Sequence, residues 1–222
     1  LDLSTFNPAI VIVTVVALAL APFVAVMITA FTKIVVVLSL LRNALGLQQT
    51  PPNVVINGLA IILSFYVMQP VIIEAERLAR AEYATMDQSA PLDVAGLTRI
   101  AGVVAEPLRE FLLRHSTEQE RAFFYQSARR LLAEDAQAQV TQRDWSVIVP
   151  AFTVTELTAA FQIGFLIFLP FLVIDLVVSN ILLALGMMML SPTMISLPFK
   201  LLLFVLLDGW AKLVHGLVLT YL

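Results

Sequence analysis

The charged side chains of this chain are gathered in one place. Of 29 Asp, Glu, Lys and Arg residues, 21 fall between positions 74 and 144. The first 73 residues hold only Asp2, Lys33 and Arg42, and residues 145–222 hold only Glu156, Asp175, Lys200, Asp208 and Lys212. The plan is therefore apolar, polar, apolar. Charged residues make up 13% of the whole, against about one quarter in soluble domains, and the mean hydropathy is +0.94. Such a chain belongs in a membrane or a large apolar assembly. A net charge of −3 gives no basic surface for nucleic acid, and the absence of cysteine excludes a disulfide framework and a thiolate metal site.

The apolar parts run over Ala9–Leu41, Val54–Ile73, Ala159–Leu185 and Ile195–Leu207, the last extending toward Leu222. A helix needs about 20 apolar residues to cross a bilayer. Hydropathy alone thus predicts an all-α, membrane-associated chain with four spans in two pairs. Pro22, Pro70, Pro170 and Pro198 interrupt these segments, and each predicts a kink or a break. Ala9–Ala30 has the length of a signal-peptide core, but no basic flank precedes it and its apolar run continues to Leu41, so it is read as mature structure. The expected organisation is an apolar hairpin over 1–73, a polar helical domain over 74–149 and a second apolar hairpin over 150–222.

The two hairpins echo each other. The first turn reads Ala44-Leu45-Gly46, three residues, then Thr50-Pro51-Pro52; the second reads Ala184-Leu185-Gly186, four residues, then Ser191-Pro192. Glycine can end a helix in a left-handed cap. Ser or Thr can cap the next helix, with Pro at its first position. One tip carries Leu47-Gln48-Gln49 and the other Met187-Met188-Met189-Leu190. Three flexible thioethers in a row suit either gap filling in a core or an adaptable seal around a variable cargo.

In the polar part, Val94, Leu97, Ala101, Val104, Leu108, Phe111 and Leu112 recur at helical spacing and predict an amphipathic stripe. Thr117 with Glu120 fits a capping box. Ala122–Leu132 predicts a further helix, and Met86–Leu92, with Pro91, a loop. The acidic excess of residues 74–144 leans toward the non-cytoplasmic side.

No motif for nucleotide binding, zinc-dependent hydrolysis or a nucleophilic serine is present. His115 and His215 lie far apart with no ligands clustered near either; the first is expected at the solvated surface and the second packed or snorkelling. No enzyme, metal or cofactor is expected. The polar residues worth following are isolated in apolar surroundings. Asp175 in "FLVIDLVVSN" reads either as a proton or ion relay or as a structural ion pair with Lys200 or a neighbouring subunit. A relay needs several such groups in line, so the ion pair is favoured. Glu156 is expected to open the long apolar helix, capped by Thr155 and suited to the helix dipole. Asp208 and Lys212, four apart, are expected to pair with each other. Lys33 and Arg42 flank "IVVVLSLL" as interface anchors or neighbour contacts.

"FTKIVVVLSLLRNALGLQQTPPNVVINGLA" (Phe31–Ala60) and the block Pro150–Trp210, which contains "PAFTVTELTAAFQIGFLIFLP" and "VVSNILLALGMMMLSPTMISLPFK", closely resemble the FliP/SctR family, core components of the bacterial type III secretion export gate. The "LGLQQTPPN" and "VVSNILLALGMMMLSP" tips resemble the virulence branch, while "AEPLREFLLR" is also similar to the flagellar one. The resemblance implies an inner-membrane pore subunit that passes unfolded secreted proteins. It implies a homopentamer joined to S/FliQ-type and T/FliR-type subunits, with hairpins built into a cone largely above the membrane plane and the polar domain in the periplasm. It also implies that Met187, Met188 and Met189 form a gasket round the channel, with Gly186, Ser191 and Pro192 shaping the loop and Lys33, Arg42, Glu156, Asp175, Lys200 and Asp208 as buried or assembly charges. The rivals are a small-molecule or ion transporter, which needs aligned ionisable groups at mid-membrane, and a scaffold around a channel formed by another chain.

Overall fold

The computed structural model describes residues 8–86, 94–133, 137 and 140–222. Those residues form helices and no strand: α1 Pro8–Met27, α2 Phe31–Ala44, α3 Asn53–Ala84, α4 Val94–Arg114, α5 Glu118–Leu131, α6 Trp145–Ala184, α7 Pro192–Leu206 and α8 Gly209–Leu219. The fold is all-α, as the apolar periodicity required. Apart from Met86, the loop expected over Met86–Leu92 lies outside the described residues.

None of the four prolines ends its helix. Pro22, Pro70 and Pro198 lie inside α1, α3 and α7, and Pro170 lies inside α6. Each removes one hydrogen bond from the ladder, but in apolar surroundings unwinding would leave several more backbone groups unpaired. The interruptions fall elsewhere. The run Ala9–Leu41 is divided between α1 and α2 at residues 28–30, and the last run bends by 62° between α7 and α8.

Two expected spans belong to much longer helices. The apolar run Val54–Ile73 continues into the charged residues up to Ala84, and α6 begins at Trp145, well before Ala159. At about 1.5 Å per residue, α3 and α6 are about 48 and 60 Å long, against about 30 Å of bilayer hydrocarbon. Both are apolar and long enough to cross a membrane, and counting each broken pair as one span brings the total to four. Only 11% of the most apolar stretch of α6 is buried within the chain, so lipid or other subunits must cover the remainder.

The chain divides into two compact units, Leu1–Thr29 with Met68–Thr155, and Ala30–Val67 with Glu156–Leu222. In the first, the end of α4 and the start of α6 supply the core. Leu112, Val147, Ile148, Ala151 and Phe152 are fully enclosed, and the rings of Phe111 and Phe152 lie 5.8 Å apart. The α4 stripe buries only at this end, since Leu97 and Ala101 are exposed. Thr117 caps α5 by accepting from the Glu120 N–H at 3.4 Å. The reciprocal bond of a full capping box is replaced, because the Thr117 N–H donates to Thr155 Oγ1 at 3.1 Å. Arg121 reaches back to close the end of α4, donating to the Leu113 carbonyl at 3.0 Å. Arg143 ties Glu106 to Glu110, and hydrogen bonds to Glu110 and then Glu106 hold its guanidinium above the ordinary arginine range.

In the second unit α2 is the buried centre. Ile34, Val37, Leu38, Leu41 and Ala44 are at most 1% exposed. Helix α6 approaches it closely at Gly164, where an added Cβ would lie 2.2 Å from Leu40 Cδ1 and 3.1 Å from Leu40 Cβ. Gly58 on α3 has nothing within 4 Å of the same construction. Gly164→Ala is therefore expected to lose about 1–3 kcal/mol through overpacking, while Gly58→Ala gains about 0.5–1 kcal/mol from helix propensity. Thermal unfolding of the detergent-extracted protein, followed by circular dichroism, checks both signs.

Candidate functional site

Two buried charge clusters hold the ends of α2. At its start, Lys33 Nζ lies 3.2 Å from Glu156 Oε1, and both side chains are almost fully enclosed. The Tyr221 hydroxyl donates to the other oxygen of Glu156 and lies 3.5 Å from the Ala30 carbonyl. The Lys33 ammonium sits 3.6 Å from the centre of the Tyr221 ring, a cation–π contact. At the far end, Lys200 Nζ lies 2.6 Å from Asp175 Oδ2 and donates to the Ala44 carbonyl at 3.3 Å. A cation there also suits the negative end of the helix dipole. Ser196 donates to Asp175 Oδ1 at 2.5 Å.

These clusters correct part of the sequence expectation. Glu156 does not open a helix: α6 begins at Trp145, and the carboxylate finds a buried cation instead of a helix terminus. Thr155 does not cap; its hydroxyl donates to the Ala151 carbonyl at 2.8 Å within α6. Asp175 and Lys200 do pair. Asp208 and Lys212 make no ion pair with each other among the described residues: Asp208 is the left-handed N-cap of α8 (φ 51°), and only its carbonyl meets Lys212, accepting from the Lys212 N–H at 3.1 Å. Arg42 donates to Asn53 Oδ1 at 2.6 Å and to the Pro51 carbonyl at 3.3 Å, lacing the first tip together. Asn53 and Tyr221 were missed in the sequence; neither carries a motif, and only the folded chain brings them to their partners. His115 is half-buried, its ring 4.6 Å from that of Phe111. His215 is exposed. No group of potential metal ligands occurs among the described residues.

The two tips share one backbone geometry. Gly46 and Gly186 are both left-handed, at φ 78° and 72°. Behind each, a main-chain bond spans five residues, from the Leu47 N–H to the Arg42 carbonyl (3.2 Å) and from the Met187 N–H to the Leu182 carbonyl (2.9 Å). This is the Schellman arrangement, which needs a residue without a Cβ at its left-handed position. Pro192 stands at the first turn of α7, as expected, but Ser191 does not cap the backbone; its hydroxyl pairs with Thr193 Oγ1 at 2.9 Å. Thr50 is not adjacent to α3, which begins only at Asn53. Beyond the cap, Met187, Met188 and Met189 are 48%, 79% and 100% exposed. They are not core residues of this chain.

Residues 13–217 match the FliP family. Yop proteins translocation protein R of Yersinia pestis is 52% identical over 204 residues, 92% of each chain. Hypersensitivity response secretion protein HrcR of Ralstonia nicotianae is 49% identical over 213 residues, 96% of this chain and 97% of that one. Flagellar biosynthetic protein FliP of Bacillus subtilis is 42% identical over 203 residues, 91% of this chain and 87% of its own length.

Breaking one side of a buried ion pair strands the other charge, at a cost of about 3–5 kcal/mol, while replacing both partners with apolar groups recovers much of it. Lys33→Met and Glu156→Met should each destabilise on that scale, and the double variant should be more stable than either single. Denaturant unfolding of the detergent-extracted protein reads the coupling; additive losses would mean that the two residues act independently.

Proposed function

The chain belongs to the FliP family and is a component of a type III secretion export apparatus in the bacterial inner membrane; from that premise we propose that it is the pore subunit through which unfolded proteins leave, and that Met187–Met189 form the seal. Its relatives are secretion-apparatus components rather than enzymes. The virulence-type relatives reach 52% identity, against 42% for the flagellar one.

The observation that carries the proposal is the outward presentation of the three methionines, held off the helix ends by Gly186. A thioether chain has several rotatable bonds and no fixed shape. A ring of them can close round many different side chains and close again behind them. One copy cannot make a ring, so the proposal includes several copies, five by the family resemblance, with S/FliQ-type and T/FliR-type subunits completing the assembly. The large uncovered apolar surface of α6 supports such burial. The charged middle of the chain is assigned to the periplasm, in keeping with its acidic excess.

A transporter acting alone is less well supported. Asp175, Glu156, Lys33 and Lys200 are joined in ion pairs, which leaves them poorly placed as a chain of exchangeable sites.

A core Met→Ala change costs about 2–5 kcal/mol, but a residue with open space around it loses little packing. Replacing Met187, Met188 and Met189 together with Ala should therefore leave assembly of the extracted complex unchanged and raise membrane permeability to small ions or dyes. Lost assembly, with no leak from the complexes that survive, would assign the triplet to packing.

A further inference from the structure

The second unit contains seven charged side chains. Five have partners within it: the two ion pairs, and Arg42, whose Nη1 donates to Asn53 and Pro51. The remaining two are one acid and one base, Asp208 and Lys212. Neither side chain makes a hydrogen bond or ion pair with any described residue, and both belong to the apolar pair α7–α8, which passes as a broken membrane span. Unpaired charges in such surroundings are costly and ordinarily find a partner.

They open onto different clefts. Lys212 is the one charged residue lining a cleft of about 440 Å³ whose walls include Ile163, Ile167 and Leu213. Asp208 is the one charged residue lining a cleft of about 590 Å³ whose walls include Leu47, Pro51 and Trp210. Phe204 and Gly209 line both clefts. The two are packed so tightly that a Cβ on Gly209 would meet the Phe204 ring at 2.2 Å. The unit thus carries two apolar clefts of opposite charge that share Phe204 and Gly209 as a common wall.

We propose that these clefts are the two complementary halves of a head-to-tail contact between copies of this chain, in which Asp208 of one copy pairs with Lys212 of the next. Each copy offers one acid and one base on different surfaces. A repeated contact therefore satisfies every charge, and unlike surfaces meeting in this way generate a ring when the rotation closes. The inference rests on the multi-copy reading above and adds the surface and the residue pair that set the order of copies.

The chain has no cysteine, so each position can be labelled alone. Two differently tagged forms, one carrying Asp208→Cys and the other Lys212→Cys, are co-expressed with the partner subunits, and the membranes are treated with a short bis-maleimide. Cross-linked product carrying both tags should exceed that from either same-site pairing by about tenfold, because a heterologous contact brings unlike positions together. Equal yields, or no mixed product from an extracted complex of several copies, overturn the pairing alone; a complex that runs as a single copy overturns the multi-copy reading itself. If a cysteine form does not accumulate, charge reversal decides. Asp208→Lys and Lys212→Asp should each lower recovery of the oligomer, and the double reversal should restore it. Single reversals that assemble normally overturn the proposal, as does loss of bound anionic phospholipid from Lys212→Asp with the oligomer intact, which would assign Lys212 to a lipid phosphate.

Discussion

Helix α2 cannot be held by apolar contact alone. One face of it is sealed off from water, and burial of that kind does not fix a helix along its own axis. Its ends do. Ala44 presents a carbonyl that the helix leaves under-satisfied, and the Lys200 ammonium meets it; at the other end the Ala30 carbonyl, which already accepts from the Ile34 N–H, lies against the Tyr221 hydroxyl. Both donors are positioned by a carboxylate on α6. A single long helix, α6, thus carries the carboxylate of both clamps. Buried ion pairs are weak sources of net stability, but they penalise every alternative register heavily. Slipping α2 by one turn would part Lys33 from Glu156 and take the Ala44 carbonyl away from Lys200.

Much of this was legible in the sequence, and the parts that were not share a cause. The all-helical class, the two glycine-capped tips and the Asp175–Lys200 pair follow from local spacing or from the rarity of charge in an apolar run. Helix ends were less legible, because hydropathy marks where a helix is greasy and not where it stops; α3 and α6 both run on into polar residues. The prolines break no helix for a related reason. Propensity is measured against water, where a freed carbonyl finds a partner, and an apolar environment raises the cost of breaking the ladder. Tyr221 was invisible because its role depends on a contact with Glu156, 65 residues away in the sequence.

In the charge-rich part of the chain, side chains act both along one helix and between helices, as Arg143 does on Glu106 and Glu110. Arg121 closes α4 from within five to eight residues, and Arg77 and Arg80 pair with Glu74 and Glu76 along α3. Exposed pairs like these contribute little stability. Their effect is to keep a long helix soluble where it leaves apolar surroundings, which is why α3 can change character midway without ending.

At Gly186 every bond that closes the helix is made by main chain: Leu185 to Ile181, Gly186 to Leu183, Met187 to Leu182. No side chain from residues 187–190 contributes to those bonds. The lip of the hairpin is therefore a replaceable fitting on a fixed mount. Its chemistry can be retailored, bulkier or smaller, stickier or more slippery, while the helices behind it keep their shape. Four consecutive positions can be rewritten without reopening the folding problem.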